Sequence, residues 1–81
     1  MTKQILINCE LELSYEKSLR FGLPYYPDNP TPCLIYFSCQ REEDGSISVT
    51  HGTLENGIEI EIKDIPERFV EQAIEEYVNA I

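Results

Sequence analysis

The residues of this 81-residue chain able to do chemistry are few: one histidine, His51, three cysteines, Cys9, Cys33 and Cys39, and two Glu-x-Glu pairs, Glu10/Glu12 and Glu59/Glu61. A histidine beside a thiol makes a nucleophilic dyad, and histidine with cysteines makes a zinc site. Two carboxylates on one face of a strand stand about 6.5–7 Å apart, which overlaps the separation used by inverting glycosidases. Each chemistry requires that the chain bring these groups together, so the elements that hold them decide the matter.

Residues 4–16 alternate, with Ile5, Ile7, Cys9, Leu11 and Leu13 on one side and Asn8, Glu10, Glu12 and Ser14 on the other. That pattern is a half-buried strand, with Leu6 the apolar exception on its outer side. Residues 17–32 follow as a long irregular segment whose Leu23–Pro32 part carries four prolines, each fixing φ and removing a backbone donor. Phe21, Tyr25 and Tyr26 in such a loop either cover an end of the core or serve as binding residues, because aromatic rings supply contact area at low entropic cost.

Residues 33–62 read as two consecutive β-hairpins. Glu43-Asp44-Gly45 suits a three-residue loop with glycine in the left-handed position, which sets Glu42 against Ser46, Cys39 against Val49 and Phe37 against His51. A two-residue turn would slip the register by one and turn Ile47 and Val49 away from the face of Ile35 and Phe37. Asn56-Gly57 predicts a two-residue type I′ turn, pairing Glu55 with Ile58, Thr53 with Ile60 and His51 with Ile62. Ile35, Phe37, Ile47, Val49, Ile58, Ile60 and Ile62 then share one face. From Pro66 onward, Phe69, Val70, Ala73, Ile74, Tyr77, Val78 and Ile81 recur at spacings of three and four, which predicts an amphipathic helix opening with Pro66 in its first turn.

Strand order follows from charge. A first strand beside the fourth would set Glu10 and Glu12 near Glu59 and Glu61, and like charges across a ladder destabilise it. The expected fold is α+β: a single domain over residues 1–81, with a four-stranded antiparallel meander in the order 1-2-3-4 and one C-terminal helix packed on one face. The acids then mark the two edges, where charge also discourages edge-to-edge pairing.

In this frame most of the chemistry fails. Cys33 and Cys39 stand six residues apart on one strand, about 20 Å, too far for one ion, and all three thiols have core parity. His51 falls between Phe37 and Ile62, with Cys39 only a diagonal neighbour. The edge carboxylates lack the desolvation that would separate an acid from a base. The glycines form no phosphate-binding loop, and Asp28-Asn29 lacks calcium-loop spacing. No catalytic residue, metal or cofactor is expected.

Six Lys and Arg against fifteen Asp and Glu give a net charge of -9, which argues against direct binding to nucleic acid or an anionic membrane. The first ten residues lack signal-peptide regions, no apolar run approaches the roughly 20 residues of a membrane span, and the odd cysteine count suits a reducing compartment, so a cytoplasmic protein is expected. What remains is surface. Glu67, Glu71 and Glu75 recur every four residues, with Glu76 alongside, and each like-charge pair costs roughly 0.2–0.5 kcal/mol. Carboxylates about 6 Å apart approximate the phosphate spacing of a nucleic-acid strand, so such a face can compete for a basic groove.

The expected function is therefore non-enzymatic. The chain reads as an acidic protein-interaction module that inhibits a partner by occupying its basic nucleic-acid-binding groove, through Glu67, Glu71, Glu75 and Glu76 and through Glu42, Glu43 and Asp44 at the hairpin tip. Phage and mobile-element proteins that block defence nucleases share this size and charge, an analogy rather than a motif match. One alternative is a homodimer formed through the open sheet face, where Leu6, Leu34 and Tyr36 lie among polar residues and Tyr36, Tyr25 or Tyr26 would anchor a contact. A second is a small enzyme or ligand binder using His51 and the proline-rich loop.

Overall fold

The computed structural model describes residues 2–80, so the expected helical position of Ile81 lies outside the described residues. It is the α+β fold the sequence predicts: a four-stranded antiparallel sheet in the order β1-β2-β3-β4 and a C-terminal helix. The strands are β1 (Thr2–Leu11), β2 (Thr31–Arg41), β3 (Ile47–Leu54) and β4 (Glu59–Ile60). A 3-10 turn at Ile62–Asp64 leads into the C-terminal helix, Glu67–Asn79.

The segment expected to be wholly irregular contains another helix. α1 (Tyr15–Phe21) starts where the backbone N–H of Lys17 donates to the Ser14 side chain, and ends at Gly22 with φ of 67°. There the Leu23 N–H donates to the Ser18 carbonyl, closing the C-terminus as helices commonly close on a left-handed glycine. β1 accordingly stops at Leu11, short of the expected strand end at residue 16. β2 starts two residues earlier than expected and takes in Pro32 near its beginning, where a proline is tolerated. The C-terminal helix is α2, and Pro66 precedes it as its N-cap instead of lying in its first turn.

The first hairpin turns as its sequence requires. Glu42 N–H donates to the Ser46 carbonyl, the Gly45 N–H donates back to Glu42, and Gly45 takes φ of 90°. Cys39 pairs with Val49 and Arg41 with Ile47. Two steps on, the register shifts: Thr50 is an extra residue in β3, so Ser38, not Phe37, faces His51, and Phe37 faces Gly52. The second hairpin also departs from expectation. The Gly57 N–H donates to Leu54 and the Leu54 N–H to Ile58, which makes Glu55-Asn56-Gly57 a three-residue loop. Gly52 then pairs with Ile60 and Thr53 with Glu59.

These two shifts change which side chains look inward. Leu54 and Gly52 join the core face, while Ile47, Val49, Ile58 and Ile62 are only half-buried against it. Ile5, Ile7, Ile35, Phe37, Cys39 and Ile60 form its centre, closed by Phe21 from α1 and by Ala73 and Tyr77 from α2. Cys33 is half-buried instead of fully inside. α2 lies mainly along β1, extending toward β2 and β3.

Candidate functional site

His51 is the first group the structure relocates. The β3 bulge turns it to the outer face of the sheet, where its Nε2 lies 3.2 Å from the Ser38 hydroxyl and its Nδ1 3.2 Å from the Thr50 hydroxyl. Glu59 Oε1 stands 3.8 Å from the same Nε2. Serine, histidine and a carboxylate are thus in contact, a constellation the expected register had hidden. Its geometry is not that of a nucleophilic triad, in which serine and carboxylate take opposite ring nitrogens. Here both address Nε2, and Ser38 is buried to 3% exposure, closed to a substrate. The cluster satisfies a buried hydroxyl. His51 borders a hollow with Val49, Thr50, Glu59 and Ile62, whereas Tyr26 and residues 27–30 border a different one with Glu12 and Leu13.

Cys9 and Cys33 are direct register partners across β1 and β2, a juxtaposition that follows from strand pairing and from no local spacing. Burial pushes the Cys9 thiol up to about 12, with the charge of Cys33 adding to the effect, and burial alone pushes Cys33 up to about 11. Alkylation needs the thiolate. A two-unit rise depletes the thiolate at pH 8 by about 100-fold, so iodoacetamide should label Cys33 in the folded chain far more slowly than in urea, with the rate climbing between pH 9 and 11. Because the raised values favour the protonated folded state, their stabilising contribution is intact below pH 9 and is lost as pH rises toward 11 and 12. Labelling at pH 8 as fast in the folded as in the unfolded chain would contradict this placement. Among the described residues, no three His, Cys, Asp or Glu side chains converge as metal ligands.

The acidic positions divide into two groups. Glu67, Glu71, Glu75 and Glu76 are all exposed on α2, and the buried Ala73 and Tyr77 fix the opposite face of the helix inward. Arg68 interrupts the acidic face but is engaged over the Phe69 ring, 4.6 Å from its centroid. Lys63 pairs with Glu61 at 3.0 Å, and Lys17 reaches from α1 to Asp64 at 3.0 Å, so neither cation offsets the helix acids.

The hairpin tip is built more tightly. Glu42 accepts hydrogen bonds from the Ser48 hydroxyl and, at 2.9 Å, from the Gln40 amide; these bonds, Ser48 first, hold its carboxyl below the usual carboxylate range. Asp44 accepts from the Ser46 hydroxyl at 2.6 Å and from the Ser46 N–H at 2.9 Å, with the same consequence. Glu43 stands exposed between them. Glu42 and Asp44 are therefore held in place by hydrogen bonds that favour their ionised forms.

Of the aromatic candidates, Phe21 is core and the tyrosines are surface. Tyr25 packs edge-on against Tyr15 with ring centroids 5.5 Å apart, and Tyr26 is 46% exposed. Tyr36 is exposed on the outer sheet face, directly opposite the exposed Leu6. Among the described residues, no helix is long and apolar enough to cross a membrane. Comparison with protein-family models, with curated proteins and with solved structures finds no match to the chain.

Proposed function

We propose that this protein is a non-enzymatic acidic interaction module, which binds a basic surface on a nucleic-acid-handling protein and blocks access of the nucleic acid to it. The observation that carries the reading is the hairpin tip, where hydrogen bonds from Gln40, Ser46 and Ser48 fix the Glu42 and Asp44 carboxylates on either side of the exposed Glu43. Carboxylates already held in place lose little side-chain freedom when a cation docks, which favours affinity as well as solubility. The exposed Glu67, Glu71, Glu75 and Glu76 supply a second array on α2. With a net charge of -9, the long-range field speeds encounter with a basic partner and repels nucleic acid itself.

The reading is tested by affinity capture on the immobilised protein from a lysate rich in nucleases and polymerases, followed by elution with a duplex oligonucleotide. Nucleic-acid-binding proteins should be retained and released by the oligonucleotide. A variant with Glu67, Glu71 and Glu75 changed to Gln should retain less.

A further inference from the structure

We infer that a second copy of this chain pairs antiparallel along the free edge of β1, joining two four-stranded sheets into one of eight strands. This goes beyond the acidic-partner reading and does not rest on it.

β1 is an edge strand of ten residues, paired over its whole length with β2 without a register break. The opposite edge, β4, has only two. Among the described residues, no backbone group of a turn, loop or helix cap bonds to β1. A long flat edge normally carries a proline, a bulge or repeated charges against pairing. β1 has no proline and no bulge, and the expected guard is weak: Glu12 lies beyond the strand, leaving Glu10 near one end and Lys3 near the other.

The backbone groups that face the open edge can be identified. Glu42 exchanges its bonds with Ser46 and Gly45, so its N–H and C=O point toward β3. Strand groups alternate in direction, so Cys39, Phe37, Ile35 and Cys33 point toward β1. Their partners Lys3, Ile5, Ile7 and Cys9 point back at them. Thr2, Gln4, Leu6, Asn8 and Glu10 therefore direct their N–H and C=O groups outward, where a second strand would meet them.

One register suits that meeting. Opposed residues of an antiparallel pair project to the same face, so the two copies must match core side to core side. A two-fold axis at Leu6 does this: Leu6 opposes Leu6, Ile5 opposes Ile7, Gln4 opposes Asn8, Lys3 opposes Cys9 and Thr2 opposes Glu10. No like charges are opposed. On the outer face, the Leu6 pair would join the two Tyr36 side chains, each already the cross-strand neighbour of a Leu6, into one apolar row of four residues. An axis at Ile7 would instead set Leu6 against Asn8 and Gln4 against Glu10, losing that row.

Light scattering over a concentration series is the test, with wild type expected at twice the 9.4 kDa chain mass. Leu6 is 45% exposed, so changing it leaves the monomer core intact. L6K and L6E should each be monomeric, because identical charges meet at the axis, and mixing them should restore a dimer containing one of each. N8P should also be monomeric while keeping the wild-type circular dichroism, because the N–H it removes points away from β2; if N8P fails to fold, the mixing experiment decides. Wild type at the single-chain mass throughout the series would overturn the inference. So would a dimer that survives L6K and N8P but is lost in Y36E, since that result assigns pairing to the sheet face. Neither result bears on capture of a basic partner.

Discussion

Gly52→Ala is expected to destabilise the protein by about 1–3 kcal/mol, and Gly52→Val by more, although the site is a strand interior where β-branched residues normally do well. A Cβ at Gly52 would lie 2.8 Å from Ile35 Cγ2, 3.2 Å from Ile65 Cδ1 and 3.3 Å from Ile60 Cγ2. None of the three has room to yield: Ile35 is 0% exposed, Ile60 1% and Ile65 5%. The glycine is an absent side chain whose space Ile65 fills as the chain comes off the 3-10 turn. For 81 residues a total stability of roughly 4–12 kcal/mol is typical, so even the alanine variant would show a clear drop in the urea midpoint. Truncating Ile35 to alanine in the same molecule should recover part of the loss, because it removes the closest contact. Strictly additive losses would contradict the packing described.

Phe21→Ala is expected to cost about 3–5 kcal/mol, the range for truncating a buried phenylalanine. Phe21 is 4% exposed and carries the last turn of α1 into the core. Its carbonyl accepts from the Asn56 side chain at 2.8 Å, so the same residue fastens α1 to the second hairpin. With Lys17 bound to Asp64, the helix is held at both ends. Urea denaturation of the variant should show the full loss; a loss below about 1 kcal/mol would mean that α1 is a surface appendage.

The parts of the fold legible in the sequence are those set by local periodicity. The alternation through Ile5, Ile7 and Cys9, the glutamate, aspartate and glycine of the first turn, and the three- and four-residue spacing around Ala73 and Tyr77 each carry their own geometry. The strand order is legible in charge, because Glu10 and Glu12 would repel Glu59 and Glu61 if the first and fourth strands were neighbours. The misplaced half of the sheet depends on tertiary contacts. A type I′ turn at Asn56-Gly57 needs positive φ at both residues, but only Gly57 adopts it, at 88°. Asn56 is held otherwise, donating to Phe21 and accepting the Ile58 N–H at 3.0 Å. The bulge at Thr50 had no sequence signal comparable to a glycine turn. Its effect was large: it moved His51 from the core to the outer face and Gly52 into the core.

α1 was readable and was masked by its surroundings. Ser14 ahead of Glu16, and Gly22 after Phe21, are start and stop signals for a short helix, but the neighbouring run of prolines favours a loop over the whole segment. The candidate acids needed no such correction as to exposure, because carboxylates opposite Ala73 and Tyr77 can only face water. What the sequence did not reveal is the ordering at the hairpin tip, where Gln40 and Ser48 reach Glu42 from adjacent strands once the register is set.

The proposed binding of a basic surface depends on the tip and the α2 face together, so charge removal at both is its sharpest test. Capture of nucleic-acid-binding proteins from a lysate should be compared between wild type and a variant with Glu42, Glu43, Asp44, Glu67, Glu71 and Glu75 changed to their amides, the fold of the variant being verified by circular dichroism. If the proposed binding holds, wild type should retain such proteins, a duplex oligonucleotide should displace them, and the variant should retain at least tenfold less, on the order of 1.4 kcal/mol in binding. Retention unchanged by the substitutions and insensitive to the oligonucleotide would contradict it.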